Sequence, residues 1–224
     1  MASINLPENR FAALLFDMDG TILSSIASAE RVWADWAREQ GLDVEAFLPT
    51  IHGIQAVETI RCLGLPGVDP VVEAERITRA EIENVQDVEA IAGVAAFLEG
   101  LPDERWAIVT SAPRALAERR IAAAGLPLPA VLITAEDVAR SKPAPDGYLL
   151  AAEQLEVDAN DCLVFEDAPA GIESGLSAGA RVVVVTATHN HASGGAHPAI
   201  ESYHGLQAVS EASGIAVLGI TVSG

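Results

Sequence analysis

This chain of 224 residues contains a single lysine, Lys142; its other formal cations are arginines. Against 13 basic residues stand 32 Asp and Glu, for a formal net charge of −19. A chain this acidic repels the phosphate backbone of nucleic acids and anionic membrane surfaces, so neither is expected as a partner. It also disfavours an anionic small molecule, unless a local site reverses the field. Long apolar runs are missing, so no membrane-spanning helix is expected. Met1 to Arg10 is polar and lacks the apolar segment of a signal peptide. Cysteine is scarce. Cys62 and Cys162 suit a reduced, cytoplasmic compartment, and both are expected as unpaired core thiols, one in a helical stretch and one opening a strand. There are no internal repeats and no low-complexity tract. With half its residues hydrophobic, the chain can build one α/β domain with a small insertion.

Strand-like apolar runs end at Phe16, Thr110, Ile133, Phe165 and Val185, with helical stretches between them. Arg114–Ala124 reads as a helix stopped by Gly125, and Pro169 opens another that runs to Gly179. This alternation predicts a Rossmann-like parallel sheet with right-handed crossovers, whose ligands bind beyond the carboxyl ends of the strands. Residues 25–90 differ: helical spacing throughout, no β-branched run, and a break at Leu65-Pro66-Gly67. Helices are expected over Asp43–Pro49, His52–Gly64 and Asp69–Glu89. Trp33 and Trp36, three apart on one helix face, are expected to pack inside this segment. The division predicted is a core of residues 1–23 and 91–224 with an inserted all-helical cap at 24–90, followed late in the chain by a final strand, Ala216–Val222.

At the end of the first run stands Phe16-Asp17-Met18-Asp19-Gly20-Thr21. Two carboxylates two positions apart at a buried strand end are costly unless a cation sits between them or a pKa rises. A metal site with one carboxylate free to attack is one reading; an acidic turn with a helix cap is the other.

The hexapeptide resembles the first motif of the haloacid dehalogenase superfamily. Three further segments resemble its other motifs, in order: Ala107-Ile108-Val109-Thr110-Ser111, Ser141-Lys142-Pro143-Ala144-Pro145, and Val164-Phe165-Glu166-Asp167-Ala168-Pro169-Ala170-Gly171. Ile51-His52-Gly53, Ala29-Glu30-Arg31-Val32-Trp33 and Ala124-Gly125-Leu126-Pro127 are similar to its sugar-phosphatase and glycerol-phosphatase branch. The resemblance implies a Mg²⁺-dependent phosphatase. Asp17 would be the nucleophile and Asp19 the general acid and base. Asp17 and Asp167 would ligate Mg²⁺ by side chain and Asp19 by its carbonyl. Ser111 and the Ala112 N–H would face the phosphoryl group with Lys142, while Glu166 would support the site and pair with Lys142. Ser111 as a plain helix N-cap is the alternative for that residue. On the cap, His52 and Gly53 are candidates for contact with a small sugar or polyol phosphate, as are Gln55 and, from the core, Arg114.

Several positions depart from the pattern. Ser24-Ser25 stands where relatives often have Asp-Ser, Ile54 follows His-Gly where a cation is common, and Ala112-Pro113 replaces a common Gly. The superfamily's Schiff-base chemistry needs a cap lysine, and this cap has none. A β-phosphoglucomutase-like reading is the main rival, opposed by the lack of His between Ser25 and Arg31; a non-catalytic binding protein is a remote one. His189, Asn190 and His191, with His197 and His204, lie among Ser, Gly and Pro without metal-ligand spacing, and a loop is expected there. A monomer or weak dimer is expected, acting on hexose phosphates first.

Overall fold

The computed structural model describes residues 10–51, 54–188, 197–211 and 214–219. β1 (Ala13–Phe16) lies at the centre of the sheet. β2 (Leu23–Ser24) leads into four helices: α1 (Ile26–Glu39), α2 (Val44–Phe47), α3 (Ala56–Leu63) and α4 (Pro70–Glu83). β3 (Glu89–Ala90) returns the chain by pairing antiparallel with β2. Then follow α5 (Val94–Glu99), β4 (Trp106–Val109), α6 (Arg114–Ala123), β5 (Val131–Ile133) and α7 (Asp146–Gln154). The chain continues through β6 (Cys162–Glu166), α8 (Pro169–Ser177), β7 (Arg181–Val185), β8 (Ala199–Ile200), β9 (Gln207–Glu211) and β10 (Gly214–Leu218).

The main sheet is parallel, in the order β5-β4-β1-β6-β7-β8. Strands buried on both faces read as continuous apolar runs, and all four residues of β1 are fully buried. Alternation sends Ala13 and Leu15 to one core, with Tyr148 and Ala151 of α7. Leu14 and Phe16 go to the other, where Phe16 stacks on Phe165 with ring centroids 4.9 Å apart and packs edge-on to Phe97 and Trp106. The helical segment has its own cluster around Trp33, Trp36, Phe47, Ile60 and Ile77. The Trp36 indole donates to Glu73 at 2.7 Å. No helix among the described residues is long and apolar enough to cross a membrane.

Three sequence expectations need correction. Residues 25–90 are not helical throughout: α4 stops at Glu83, where the Asn84 side chain donates to the Ala80 carbonyl at 2.8 Å, and the chain then enters β3. The last strand starts at Gly214 and pairs with β9 from Gly214↔Glu211 to Leu218↔Gln207, so its bounds are set by a hairpin partner whose polar face hid it; residues 220–222 lie outside the described residues. Cys62 is exposed, on the outer face of α3, and only Cys162 is a core thiol, its pKa pushed up to about 12 by burial.

Candidate active site

Parallel pairing brings distant motifs to one edge. Phe16 is in register with Ile108 of β4 and with Phe165 of β6. Asp17, Ser111 and Asp167, each just past the end of its strand, therefore share the same rim of the sheet. The Asp17 N–H donates to the Phe165 carbonyl at 2.9 Å, so Asp17 still holds extended backbone as its side chain leaves the core.

Lys142 arrives from the loop after β5. Its Nζ donates to Asp17 Oδ1 at 2.5 Å, to Glu166 Oε1 at 2.7 Å and to the Val109 carbonyl at 3.0 Å. Burial opposes the ammonium charge, but Asp17 and Glu166 outweigh it, and the lysine pKa lies above its ordinary value. Asp17 is affected the other way. Burial first, then the Glu166 charge, pushes its carboxyl up to about 7, against the pull of Lys142. Asp167 is raised as well, by burial and then by Asp17 and Glu166. One cation among three buried carboxylates leaves the cluster short of positive charge.

Oxygens of Asp17, Glu166 and Asp167 lie within 4.8 Å of one another, close enough together to share a cation. Glu166 is already engaged: Oε1 accepts from Lys142 and from the Tyr148 hydroxyl at 2.9 Å, and Oε2 accepts from the Asp167 and Ala168 N–H groups. Four donors leave it little lone-pair capacity for an ion. Asp17 and Asp167 are the side chains that fit one.

Two glycines make the cluster possible. A Cβ on Gly171 would fall 1.6 Å from Glu166 Oε1. A Cβ on Gly20, whose φ is +85°, would fall 2.0 Å from Asp167 Oδ2. Thr21 completes this contact by donating to Asp167 Oδ1 at 3.3 Å. Gly20→Ala is expected to displace the Asp167 carboxylate and to cost about 1–3 kcal/mol in backbone strain. Calorimetric titration with Mg²⁺ should show weakened binding even where the variant remains folded.

Asp19 is held separately. Its Oδ1 accepts from Ser25 Oγ at 2.5 Å and its Oδ2 from Arg120 Nη1 at 3.0 Å. The other end of that guanidinium, Nη2, donates to Glu81 Oε1 on α4 at 3.0 Å. Arg120 and Glu81 are both buried. Burial works against the arginine's charge, but Asp19 and Glu81 outweigh it. Burial raises the Glu81 carboxyl despite the pull of Arg120. Asp17, Asp19, Ser111, Glu81, Arg120 and Trp33 line a cavity of about 100 Å³ between the sheet rim and the helical segment.

The model of the haloacid dehalogenase-like hydrolases matches residues 11–179. The chain belongs to that family. Hexitol phosphatase A of Escherichia coli (strain K12) is 43% identical over 185 residues, covering 80% of this chain and 84% of that protein. The 2-deoxyglucose-6-phosphate phosphatase 1 of Saccharomyces cerevisiae is 32% identical over 200 residues, covering 79% and 80%. Among solved structures, CbbY of Rhodobacter sphaeroides in complex with phosphate superposes with a TM-score of 0.73 over 87% of this chain and 96% of that one; at 23% identity it speaks to the fold alone.

The structure gathers Asp17, Asp19, Ser111, Lys142, Glu166 and Asp167 at one rim of the sheet, and Glu166 pairs with Lys142. Ser111 is not the N-cap of α6; the Arg114 N–H is met by the Glu136 carboxylate at 3.1 Å. Ala112, whose N–H is the candidate to face the phosphoryl group, lines the inner cavity, and that N–H donates to Thr110 Oγ1 at 3.0 Å. Arg114, a candidate substrate contact, does not line the inner cavity and is tied to Asp137 at 2.8 Å and to the Leu132 carbonyl at 3.0 Å. Gln55 donates to the Ala135 carbonyl at 3.4 Å and lines an adjoining recess rather than the inner cavity. His52, Gly53 and His189 to His191 lie outside the described residues. Trp33 is core, as expected, and also lines the cavity beside Glu81.

Sequence reading missed Arg120, Glu81, Tyr148 and the role of Ser25. A local signal existed for two of them. Arg120 shares the apolar stripe Leu116-Ala117-Ile121 of α6, and Glu81 follows Ile77 by one turn of α4. A charge on a core-facing stripe demands a buried partner.

Proposed function

We propose that this hydrolase is a Mg²⁺-dependent phosphomonoesterase acting on small sugar or polyol monophosphates through an aspartyl-phosphate on Asp17. The observation that carries this reading is the chain's one lysine, buried between Asp17 and Glu166 in a cluster still short of positive charge. Such a site suits a group that brings a hard divalent cation and a phosphoryl dianion together. The Asp17 and Asp167 carboxylates and the Asp19 carbonyl would hold Mg²⁺, which prefers oxygen ligands. When bound, the ion supplies neutralising charge to the phosphoryl oxygens and the attacking carboxylate.

The chain's residues then divide the work. An Asp17 oxygen attacks phosphorus, the phosphorus–oxygen bond to the leaving group breaks, and Asp19 gives its proton to the departing alkoxide. Lys142 and the Ser111 hydroxyl steady the equatorial oxygens. Asp19 then takes a proton from water as that water attacks the acyl-phosphate, which releases phosphate and frees Asp17. The helical segment acts as a cap that excludes bulk water, hinged at the paired strands β2 and β3.

The inner cavity's size fits a small leaving group. Among its described lining residues Arg120 is the one cation, and it is committed to Asp19 and Glu81. No second cation among the described residues lines this inner cavity, which favours a monophosphate there over the bisphosphate that a mutase must hold; Arg79 lines the adjoining recess. The similarity to hexitol phosphatase A supports hexitol or hexose monophosphates, with 2-deoxyhexose and glycerol phosphates as secondary substrates. Two unpaired thiols support action in a reduced compartment such as the cytoplasm.

A phosphate-release screen over these compounds tests the reading. Hexitol and hexose monophosphates should turn over fastest, and EDTA should abolish release. No release from any of them by folded protein with Mg²⁺ would overturn it, and conversion of a sugar 1-phosphate to its 6-phosphate isomer without release would favour the mutase.

A further inference from the structure

Arg120 joins two things that the mechanism treats separately. One guanidinium holds Asp19, the proton-transfer group, through Nη1 and Glu81, on the last turn of α4, through Nη2. α6, which carries Arg120, belongs to the sheet core, while α4 belongs to the helical segment. An arginine on a solvated face loses little by changing partners. This one is buried, as is Glu81, and a buried charge is costly when it stands alone. Its planar fork can serve two carboxylates at once in a fixed geometry, which a lysine's single ammonium cannot.

The geometry points to Arg120 as a positioning residue that ties the aim of Asp19 to the seating of the cap. With Glu81 in place, the guanidinium is fixed from the cap side, and Asp19 Oδ2 is fixed by it. Ser25, the residue just before α1, fixes Oδ1. Both oxygens of Asp19 are thus held by groups whose positions depend on the cap: Ser25 at its entrance and Arg120 through Glu81 near its exit. When the cap lifts, Glu81 leaves the guanidinium and Asp19 loses its fixed aim. The enzyme is thereby set to transfer a proton only with its site covered. The Trp33 ring and Glu81 line the same cavity, so an occupying leaving group can press on the same latch.

This inference rests on the phosphatase reading, and the two fail differently. The test compares kcat/KM of wild type, Arg120→Gln, Arg120→Lys and Glu81→Gln on an alkyl substrate, a hexitol phosphate, and on p-nitrophenyl phosphate, all with Mg²⁺. An alkoxide needs a proton to leave and a nitrophenolate does not. Arg120→Gln should lower kcat/KM for the alkyl ester by about 10²-fold, and for the aryl ester at least about tenfold less. Arg120→Lys should recover part of the alkyl rate, and Glu81→Gln should show the same bias toward the aryl ester with a smaller loss. Equal losses on both substrates, or no loss on either, would overturn the positioning role and leave Arg120 as an ion pair that holds two layers together. If Arg120→Gln does not fold, the double variant Glu81→Gln/Arg120→Gln, which removes both buried charges, is read by the same comparison. Wild type that turns over neither ester would instead bring down the phosphatase reading, and this inference with it.

Discussion

Asp17→Asn is expected to lower phosphate release by at least about 10⁴-fold, since an amide cannot form the acyl-phosphate, while leaving the Mg²⁺-free protein as stable as wild type or more so. The second half follows from the electrostatics. Asp17 is buried beside Glu166 and Asp167, and its carboxyl is pushed up to about 7 from the ordinary 3.8. An acid whose folded pKa is raised binds more protons folded than unfolded. Its stabilising share is fully present below 3.8 and is lost as pH rises toward about 7. Wild type without Mg²⁺ should therefore lose stability across that window, and Asp17→Asn should lose less. Thermal midpoints at pH 5 and pH 8, with EDTA and with Mg²⁺, check this. Mg²⁺ should raise the wild-type midpoint most at the higher pH, because the ion binds the ionised site. A site that trades stability for function behaves this way; a merely structural aspartate would destabilise on substitution and gain nothing from the amide.

Lys142→Met should affect both properties in the same direction. The variant keeps the stem's apolar volume and removes the one cation that faces Asp17 and Glu166. Loss of a preorganised cation at the transferring phosphoryl group should lower kcat by about 10²–10³-fold. Stranding buried carboxylates should cost about 3–5 kcal/mol at neutral pH. That cost should shrink as pH falls and the carboxyls take up protons, and denaturant midpoints at pH 5 and pH 8 measure it. Tyr148 will not compensate. Its phenol already donates to Glu166, and burial, with the Glu166 charge second, raises its pKa well above the usual value.

The sequence signals that succeeded here are those with local form. Asp17 and Asp19 stand at fixed spacing after an apolar run, Lys142 is the chain's one lysine, and Asp167 directly follows a strand, with the next helix opening at Pro169. Each is readable within a few residues, and parallel pairing then brings all of them to one rim. Where the expectation failed, a partner far along the chain decided the outcome. Arg120 and Arg114 lie on the same helix, and the sequence reading names Arg114 alone. The structure turns Arg114 out to Asp137 and Arg120 in to Asp19, 101 positions away. β3 pairs with β2 across the whole helical segment, and nothing within its two residues announces a strand. Gly171 reads as an ordinary helix residue until the Glu166 carboxylate is seen occupying the space of its missing Cβ. Cys62 followed the general tendency of cysteine to be buried, which a short helix with one apolar face can override.

The central claim is that Asp17 becomes covalently phosphorylated, with Asp19 handling protons beside it. Acid quenching of the enzyme within milliseconds of mixing with Mg²⁺ and a hexitol phosphate, followed by mass analysis of the peptide that holds Asp17, tests it directly. The mass of one phosphoryl group should appear on Asp17 in step with alcohol release, decay as phosphate appears, and be missing from Asp17→Asn. Phosphate release at full rate with no phosphoryl group on that peptide, and with inverted configuration at phosphorus, would contradict the account.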